Sequence, residues 1–134
     1  MNAENSKKRT VLIADDDIDL LEQLRMQLES MNFAVESAES QNEAEQLLEK
    51  MKPDLVIYDL MMENQDSGFV LSYKTKKKYP DVPVILVTSV TSETGLKFDT
   101  ATEEMRSWIK ADVILDKDIR FEQLKGEIDR LLEN

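Results

Sequence analysis

Short apolar runs recur along this chain, and stretches of helical periodicity fill the gaps between them. Val11-Leu12-Ile13-Ala14, Leu55-Val56-Ile57-Tyr58, Val84-Ile85-Leu86-Val87 and Val113-Ile114-Leu115 are the clear ones. Runs this short, apolar at consecutive positions, predict strands buried on both faces. Phe33 to Ser37 reads as a weaker strand between the first two. A sheet covered on both sides needs helices above and below it, and this requirement constrains the chain more than any other feature.

The intervening segments supply those helices. Ile18, Leu21, Leu24, Leu28 and Met31 recur at three- and four-residue spacing, an amphipathic pattern. Ser40 with Glu43 forms a capping box, and Ala44, Leu47, Leu48 and Met51 give the second helix its inner face. Lys52-Pro53-Asp54 breaks the chain before the third strand, and Met61 to Gly68 reads as a polar loop after it. Phe69 to Tyr79 predicts a third helix. Val90 to Asp99 lacks a helical pattern and reads as an insertion-like loop. Thr100 with Glu103 is a second capping box, predicting a short helix to about Lys110. Phe121, Leu124, Ile128, Leu131 and Leu132 mark a last helix. Five strands alternating with five helices predict an α/β, flavodoxin-like, doubly wound (βα)5 fold. Right-handed crossovers favour a parallel five-stranded sheet in the order 2-1-3-4-5.

Bulk composition narrows the chemistry. A length of 134 residues suits one domain. No cysteine is present, which excludes disulfides, thiol nucleophiles and thiolate metal sites and is compatible with the cytoplasm. No histidine is present either, so a histidine base, metal ligand or phospho-acceptor is impossible within the chain. Met1 to Thr10 is polar and lacks a hydrophobic signal region, and no apolar run is long enough to cross a bilayer. The expected location is cytoplasmic, without membrane insertion. The formal net charge of -11 disfavours direct contact with nucleic acid. It either keeps the protein soluble or reflects carboxylates gathered around a divalent cation.

The strand ends carry the candidate chemistry. Asp15, Asp16 and Asp17 follow the first strand, Asp59 ends the third, Thr88 and Ser89 end the fourth, and Lys117 follows the fifth. The 2-1-3-4-5 order makes strands one and three neighbours at the switch point, where open α/β sheets bind ligands. Asp15, Asp16 and Asp59 would share one crevice, and like charges that close need a cation. Oxygen-only ligands suit Mg2+. A hydroxyl from Thr88 and an ammonium from Lys117 beside them fit a phosphoryl group, and together they describe phosphoryl transfer onto a carboxylate. Taken singly, each has a plainer role: Asp16 or Asp17 as a helix N-cap, Thr88 as a β-branched strand end, Lys117 as a solvated lysine.

Val11 to Asp17, Asp54 to Asp59, Ile85 to Ser89 and Ala111 to Lys117 resemble the receiver domain of bacterial two-component response regulators. The resemblance runs from about Thr10 to Leu132 and points to a stand-alone, chemotaxis-type receiver occupying residues 10–134 behind an N-terminus at residues 1–9 expected to be flexible, although a receiver excised from a larger regulator would read the same. It implies that Asp59 accepts a phosphoryl group from a sensor histidine kinase or a histidine phosphotransfer protein. It implies that Asp16, Asp59 and the Met61 backbone carbonyl hold Mg2+, that Asp15 assists, and that Thr88 and Lys117 bind the phosphoryl oxygens. Ser89 fits the small residue expected after Thr88. The chain's own chemistry would be self-phosphorylation and slow hydrolysis, with output through contacts to an unknown downstream protein. The chain departs from the family pattern in three places. Asp118 follows Lys117 where proline is usual, Ile114 stands where an aromatic switch residue is usual, and the loop at Val90 to Asp99 carries Thr91, Gly95 and Phe98. An aromatic rotamer switch therefore cannot operate at Ile114.

Other functions compete at the level of sequence. A receiver-like adaptor that is never phosphorylated would share the fold. Asp15 to Asp17 also loosely resembles the Asp-x-Asp of haloacid-dehalogenase-type phosphatases, with Asp15 as nucleophile. That reading leaves Asp59 unexplained and leaves little chain after Lys117 for further acidic metal ligands.

Overall fold

The computed structural model describes residues 8–88, 111–117 and 120–132. Strand β1 (Thr10–Ala14) leads into helix α1 (Ile18–Ser30), and β2 (Ala34–Ala38) into α2 (Gln41–Lys50). Strand β3 (Leu55–Asp59) precedes α3 (Ser67–Lys78), and β4 (Val84–Thr88) follows. Strand β5 (Val113–Asp116) then leads to α4 (Phe121–Leu132). All four strand pairings are parallel, and the sheet order is β2-β1-β3-β4-β5, as expected. The helix expected from Thr100 to about Lys110 and the loop expected from Val90 to Asp99 lie outside the described residues, as do Ser89 and Asp118. No helix among the described residues is long and apolar enough to cross a membrane.

The alternation of side chains along a strand divides the core in two. Val11, Ile13, Leu55, Ile57, Ile85, Val87 and Leu115 pack with Leu21, Leu24 and Leu28 of α1 and Leu124 and Ile128 of α4. Leu12, Val56, Tyr58, Val84 and Leu86 pack on the opposite face with Ala44 and Leu48 of α2 and Leu71 of α3. Helices therefore cover both faces, and every residue of β3 and β4 is buried. Fully burying one such Val, Leu or Ile contributes about 1.5–3 kcal/mol, so the central strands are the stiffest support available for a site. Ile114 is half-buried against the α2/α3 side.

Local details differ from the sequence pattern in two places. Ile18, expected on the inner face of α1, is 56% exposed, because it is the first helical residue and lies at the rim of the sheet. Helix α3 starts at Ser67, two residues earlier than the apolar pattern suggests. Its first turn is pressed onto the end of β3. The Gly68 N–H donates to the Leu60 carbonyl at 2.7 Å. A Cβ at Gly68 would stand 2.6 Å from Leu60 Cα and 2.7 Å from the Asp59 carbonyl oxygen. Only glycine permits that approach.

Behind the site, Tyr58 is fully buried with its hydroxyl 2.7 Å from Thr75 Oγ1. Thr75 gives its one hydroxyl proton to the Leu71 carbonyl at 2.7 Å, so Tyr58 is the donor in this pair. No buried side-chain nitrogen or oxygen among the described residues lacks a hydrogen-bond partner.

Candidate functional site

Parallel pairing places the strand ends side by side. Ala14 pairs with Tyr58, which brings Asp15 beside Asp59, and Asp59 pairs with Val87. Thr88 pairs with Asp116, and the Lys117 N–H donates to the Thr88 carbonyl at 3.1 Å. Thus Asp15, Asp59, Thr88 and Lys117, spread over four elements of sequence, meet at the carboxyl edge of the sheet.

The three acidic residues after β1 have separate jobs. Asp17 is the N-cap of α1, its Oδ1 accepting the N–H groups of Asp19 at 3.0 Å and Leu20 at 3.3 Å. This satisfies helix-end donors that have no partner within the helix. Of the two aspartates that could have capped α1, Asp16 is thereby released, and its side chain is exposed at the rim. Asp15 is buried, and its Oδ1 accepts the Asp17 N–H at 2.9 Å.

Asp15, Asp16 and Asp59 each offer one carboxylate oxygen, and these oxygens all lie within 4.8 Å of one another. Lys117 Nζ stands 3.3 Å from Asp59 Oδ2 and 3.5 Å from Asp15 Oδ2, bridging the two buried carboxylates. Three negative charges therefore face one ammonium. Burial, and then the Asp15 charge, push the Asp59 carboxyl up to about 7, against the opposing pull of Lys117. Burial also raises Asp15, with the Asp17 N–H and Lys117 opposing. For Lys117, burial works to lower the pKa, but the two carboxylates outweigh it and hold the ammonium above its ordinary value. An additional cation would relieve this strain, because it favours the ionised form of every carboxylate it touches. The donor set is all oxygen and partly open to solvent, which fits a hard ion such as Mg2+ that keeps several waters.

Thr88 is buried at the end of β4. Met61 stands two residues past Asp59 with its side chain exposed, in a loop held at its base by the Leu60 N–H donating to the Val87 carbonyl at 2.9 Å. Sequence reasoning did not single out Glu63, whose carboxylate accepts N–H groups from Gln41 and Asn42 across the loop. A glutamate that caps another element's helix leaves no spacing signature. Gly68, the end of the polar loop in the sequence pattern, lies in the first turn of α3, where its missing Cβ lets the helix approach β3.

Comparison with known proteins agrees with this geometry. Residues 11–129 match the family model described as response regulator receiver domain. The transcriptional regulatory protein GlrR of Escherichia coli (strain K12) is 40% identical over 83 residues, covering 62% of this chain. The same stretch spans only 18% of that relative's length. Among solved structures, the response regulator TrrA of Thermotoga maritima in complex with Mg(2+)-BeF superposes with a TM-score of 0.75 at 25% identity. It covers 92% of this chain and 98% of that one. A CheY-like receiver domain protein from Methanospirillum hungatei JF-1 gives a TM-score of 0.79 at 23% identity, with 95% of each chain covered, and shares the fold.

Proposed function

This chain belongs to the response regulator receiver domain family of two-component signalling, and on that premise we propose that Asp59 is its phospho-acceptor. The observation that carries the reading is the Lys117 bridge between two buried carboxylates, Asp15 and Asp59, with Asp16 at the open side. Two adjacent buried carboxylates are costly to keep, and a site built to receive a cation and a phosphoryl group accounts for them.

In the proposed reaction, an Asp59 carboxylate oxygen attacks the phosphorus of the donor. A P–O bond to Asp59 forms while the P–N bond of a phosphohistidine breaks, or the P–O bond of a small acyl phosphate. The bonding pair leaves with the imidazole or the carboxylate. The donor is a sensor histidine kinase or a histidine phosphotransfer protein, since this chain has no histidine of its own. Lys117 Nζ, already 3.3 Å from Asp59, pairs with one phosphoryl oxygen, and the Thr88 hydroxyl donates to another. Asp15, Asp16, Asp59 and the Met61 backbone carbonyl would hold Mg2+. When bound, that ion neutralises charge on the carboxylates and the phosphoryl oxygens. The chain's own chemistry is limited to this self-phosphorylation and to slow hydrolysis of the acyl phosphate. We place the protein in the cytoplasm, with residues 10–134 forming the receiver domain. Output runs through protein contacts with a downstream target and not through direct nucleic-acid binding, which the net charge of -11 disfavours. It uses a route other than an aromatic rotamer at Ile114.

The test is incubation with Mg2+ and acetyl phosphate followed by intact-mass measurement. A gain of one phosphoryl group, absent in Asp59→Asn and in the presence of EDTA, is the expected result. A gain that persists in Asp59→Asn, or no gain from any donor, overturns the reading.

A further inference from the structure

Glu63 lies in the loop that leaves Asp59, yet its carboxylate serves a different element. Its Oε1 accepts the Gln41 N–H at 2.7 Å and its Oε2 accepts the Asn42 N–H at 3.1 Å. These are the first two residues of α2. The third amide of that helix, from Glu43, donates to its N-cap Ser40 Oγ at 3.1 Å. The first amides of a helix have no partner inside it. Helix α2 thus supplies one cap itself and takes the other two from the loop after β3. Asn64 adds a third link, with Nδ2 donating to Gln41 Oε1 at 3.4 Å.

The rest of the loop is held at two other places. At its base, the Leu60 N–H reaches Val87 and the Gly68 N–H reaches Leu60. At its far end, the Asn64 N–H donates to Ser67 Oγ, and the Asn64 carbonyl accepts the N–H groups of Ser67 at 3.3 Å and Met62 at 3.1 Å. Met61 lies between the base and this Met62–Glu63–Asn64 turn, which Glu63 ties to α2.

We propose that Glu63 is a positioning residue for the acidic site: by gripping the first turn of α2, it holds the segment that carries Met61 against the sheet edge where Asp15, Asp16 and Asp59 converge. This rests on the reading of Asp59 as a Mg2+-dependent phospho-acceptor. The grip also links two places that share no side chain. A cation that orders the Met61 segment steadies the first turn of α2, and a steadier first turn favours the cation, because such coupling is reciprocal.

Calorimetric titration of the full chain with MgCl2 tests this, together with amide hydrogen exchange at Gln41 and Asn42. Glu63→Ala is expected to weaken Mg2+ binding about tenfold, the low end of the cost of removing a group that supports a metal ligand. Glu63→Gln, which keeps the length and one acceptor oxygen, falls between that variant and the wild type and serves if the alanine variant does not fold. Ser40→Ala loosens the same helical turn without touching the loop, so by the same coupling its affinity falls, but by clearly less than that of Glu63→Ala. Saturating Mg2+ slows exchange at Gln41 and Asn42 in the wild type and not in Glu63→Ala. Wild-type affinity in Glu63→Ala, or equal weakening in Ser40→Ala, overturns the proposal while leaving Asp59 as acceptor. A wild type that neither binds Mg2+ nor gains a phosphoryl group overturns the reading of Asp59 and this inference with it.

Discussion

At the amino edge of the sheet, Asp54 and Asp112 each stand one residue before a strand; at the carboxyl edge, Asp15 follows β1 and Asp59 ends β3. The amino-edge pair makes the same clasp twice. The Asp54 N–H donates to the Thr10 carbonyl at 2.8 Å, and Asp54 Oδ2 accepts the Thr10 N–H at 2.8 Å. The Asp112 N–H donates to the Val84 carbonyl at 2.9 Å, and Asp112 Oδ2 accepts the Val84 N–H at 2.8 Å, with Lys76 Nζ 2.9 Å away. Each carboxylate there ties a strand to its neighbour. At the carboxyl edge, Asp59 faces Lys117 and a second carboxylate, Asp15, and no backbone N–H of the described residues donates to it. The same side chain, on the same sheet, ties strands together where its carboxylate takes a backbone N–H from the neighbouring strand. At the carboxyl edge Asp15 takes only the Asp17 N–H of its own loop, and Asp59 is paired with Lys117.

The sharpest way to break this contrast is to exchange the chemistry of the two edges. Asp59→Asn should abolish phosphoryl gain from acetyl phosphate, whereas Asp112→Asn and Asp54→Asn should leave it intact by intact mass. A loss in either amino-edge variant would dissolve the division.

The next test is pH. The Asp59 carboxyl is raised in the fold from its ordinary 3.8 to about 7. Between those values the native state binds more protons than the unfolded chain, so unfolding free energy falls as pH rises. The contribution is fully present below the lower value and gone above the upper one. In EDTA, the urea midpoint of wild type relative to Asp59→Asn should therefore drop between about pH 4 and about pH 7. Saturating Mg2+ should flatten that difference.

Lys117→Ala leaves Asp15 and Asp59 facing each other without the bridging ammonium. Removing one partner from a buried ion pair costs about 3–5 kcal/mol; partial exposure of Lys117 and protonation of a carboxylate place this variant at about 3 kcal/mol. Mg2+ should stabilise Lys117→Ala more than it stabilises the wild type. Equal stabilisation would mean that the lysine and the cation do not share the same charges. The smallest effects belong to the clasps. Asp112→Ala, which strips a partner from the buried Val84 amide, should cost about 2 kcal/mol. Asp54→Ala, at a more exposed amide, should cost about 1 kcal/mol. Denaturant unfolding reads both.

What was legible in the sequence follows the same division. The strands and their order could be read because consecutive apolar residues and alternating helices leave few topologies. Asp15, Asp16, Asp59, Thr88 and Lys117 could be placed together because each sits at a strand's end, and strand ends in a parallel sheet are coplanar. The assignment of Asp17 as N-cap required atomic detail, since three adjacent aspartates offer the same chemistry to the same helix. The clasps of Asp54 and Asp112 were hidden because an aspartate before a strand reads as a turn residue. The Glu63 grip was hidden because it joins residues more than twenty positions apart through backbone donors, which carry no identity. Helix α3 began early because Ser67 and Gly68 are buried by contact with β3, and neither residue type advertises burial.

Tyr58 adjoins Asp59 and points the opposite way, into the α2/α3 side of the core, where its hydroxyl meets Thr75. Burial raises its phenol well above the ordinary value of 10.0. The chain has three tyrosines, so an alkaline titration followed by ultraviolet absorbance carries three phenolate increments. The Tyr58 increment should arrive only as the sheet opens, coincident with loss of the far-ultraviolet helical signal. That makes one residue of β3 an optical clock for the unfolding of the strand that presents Asp59, with no label attached.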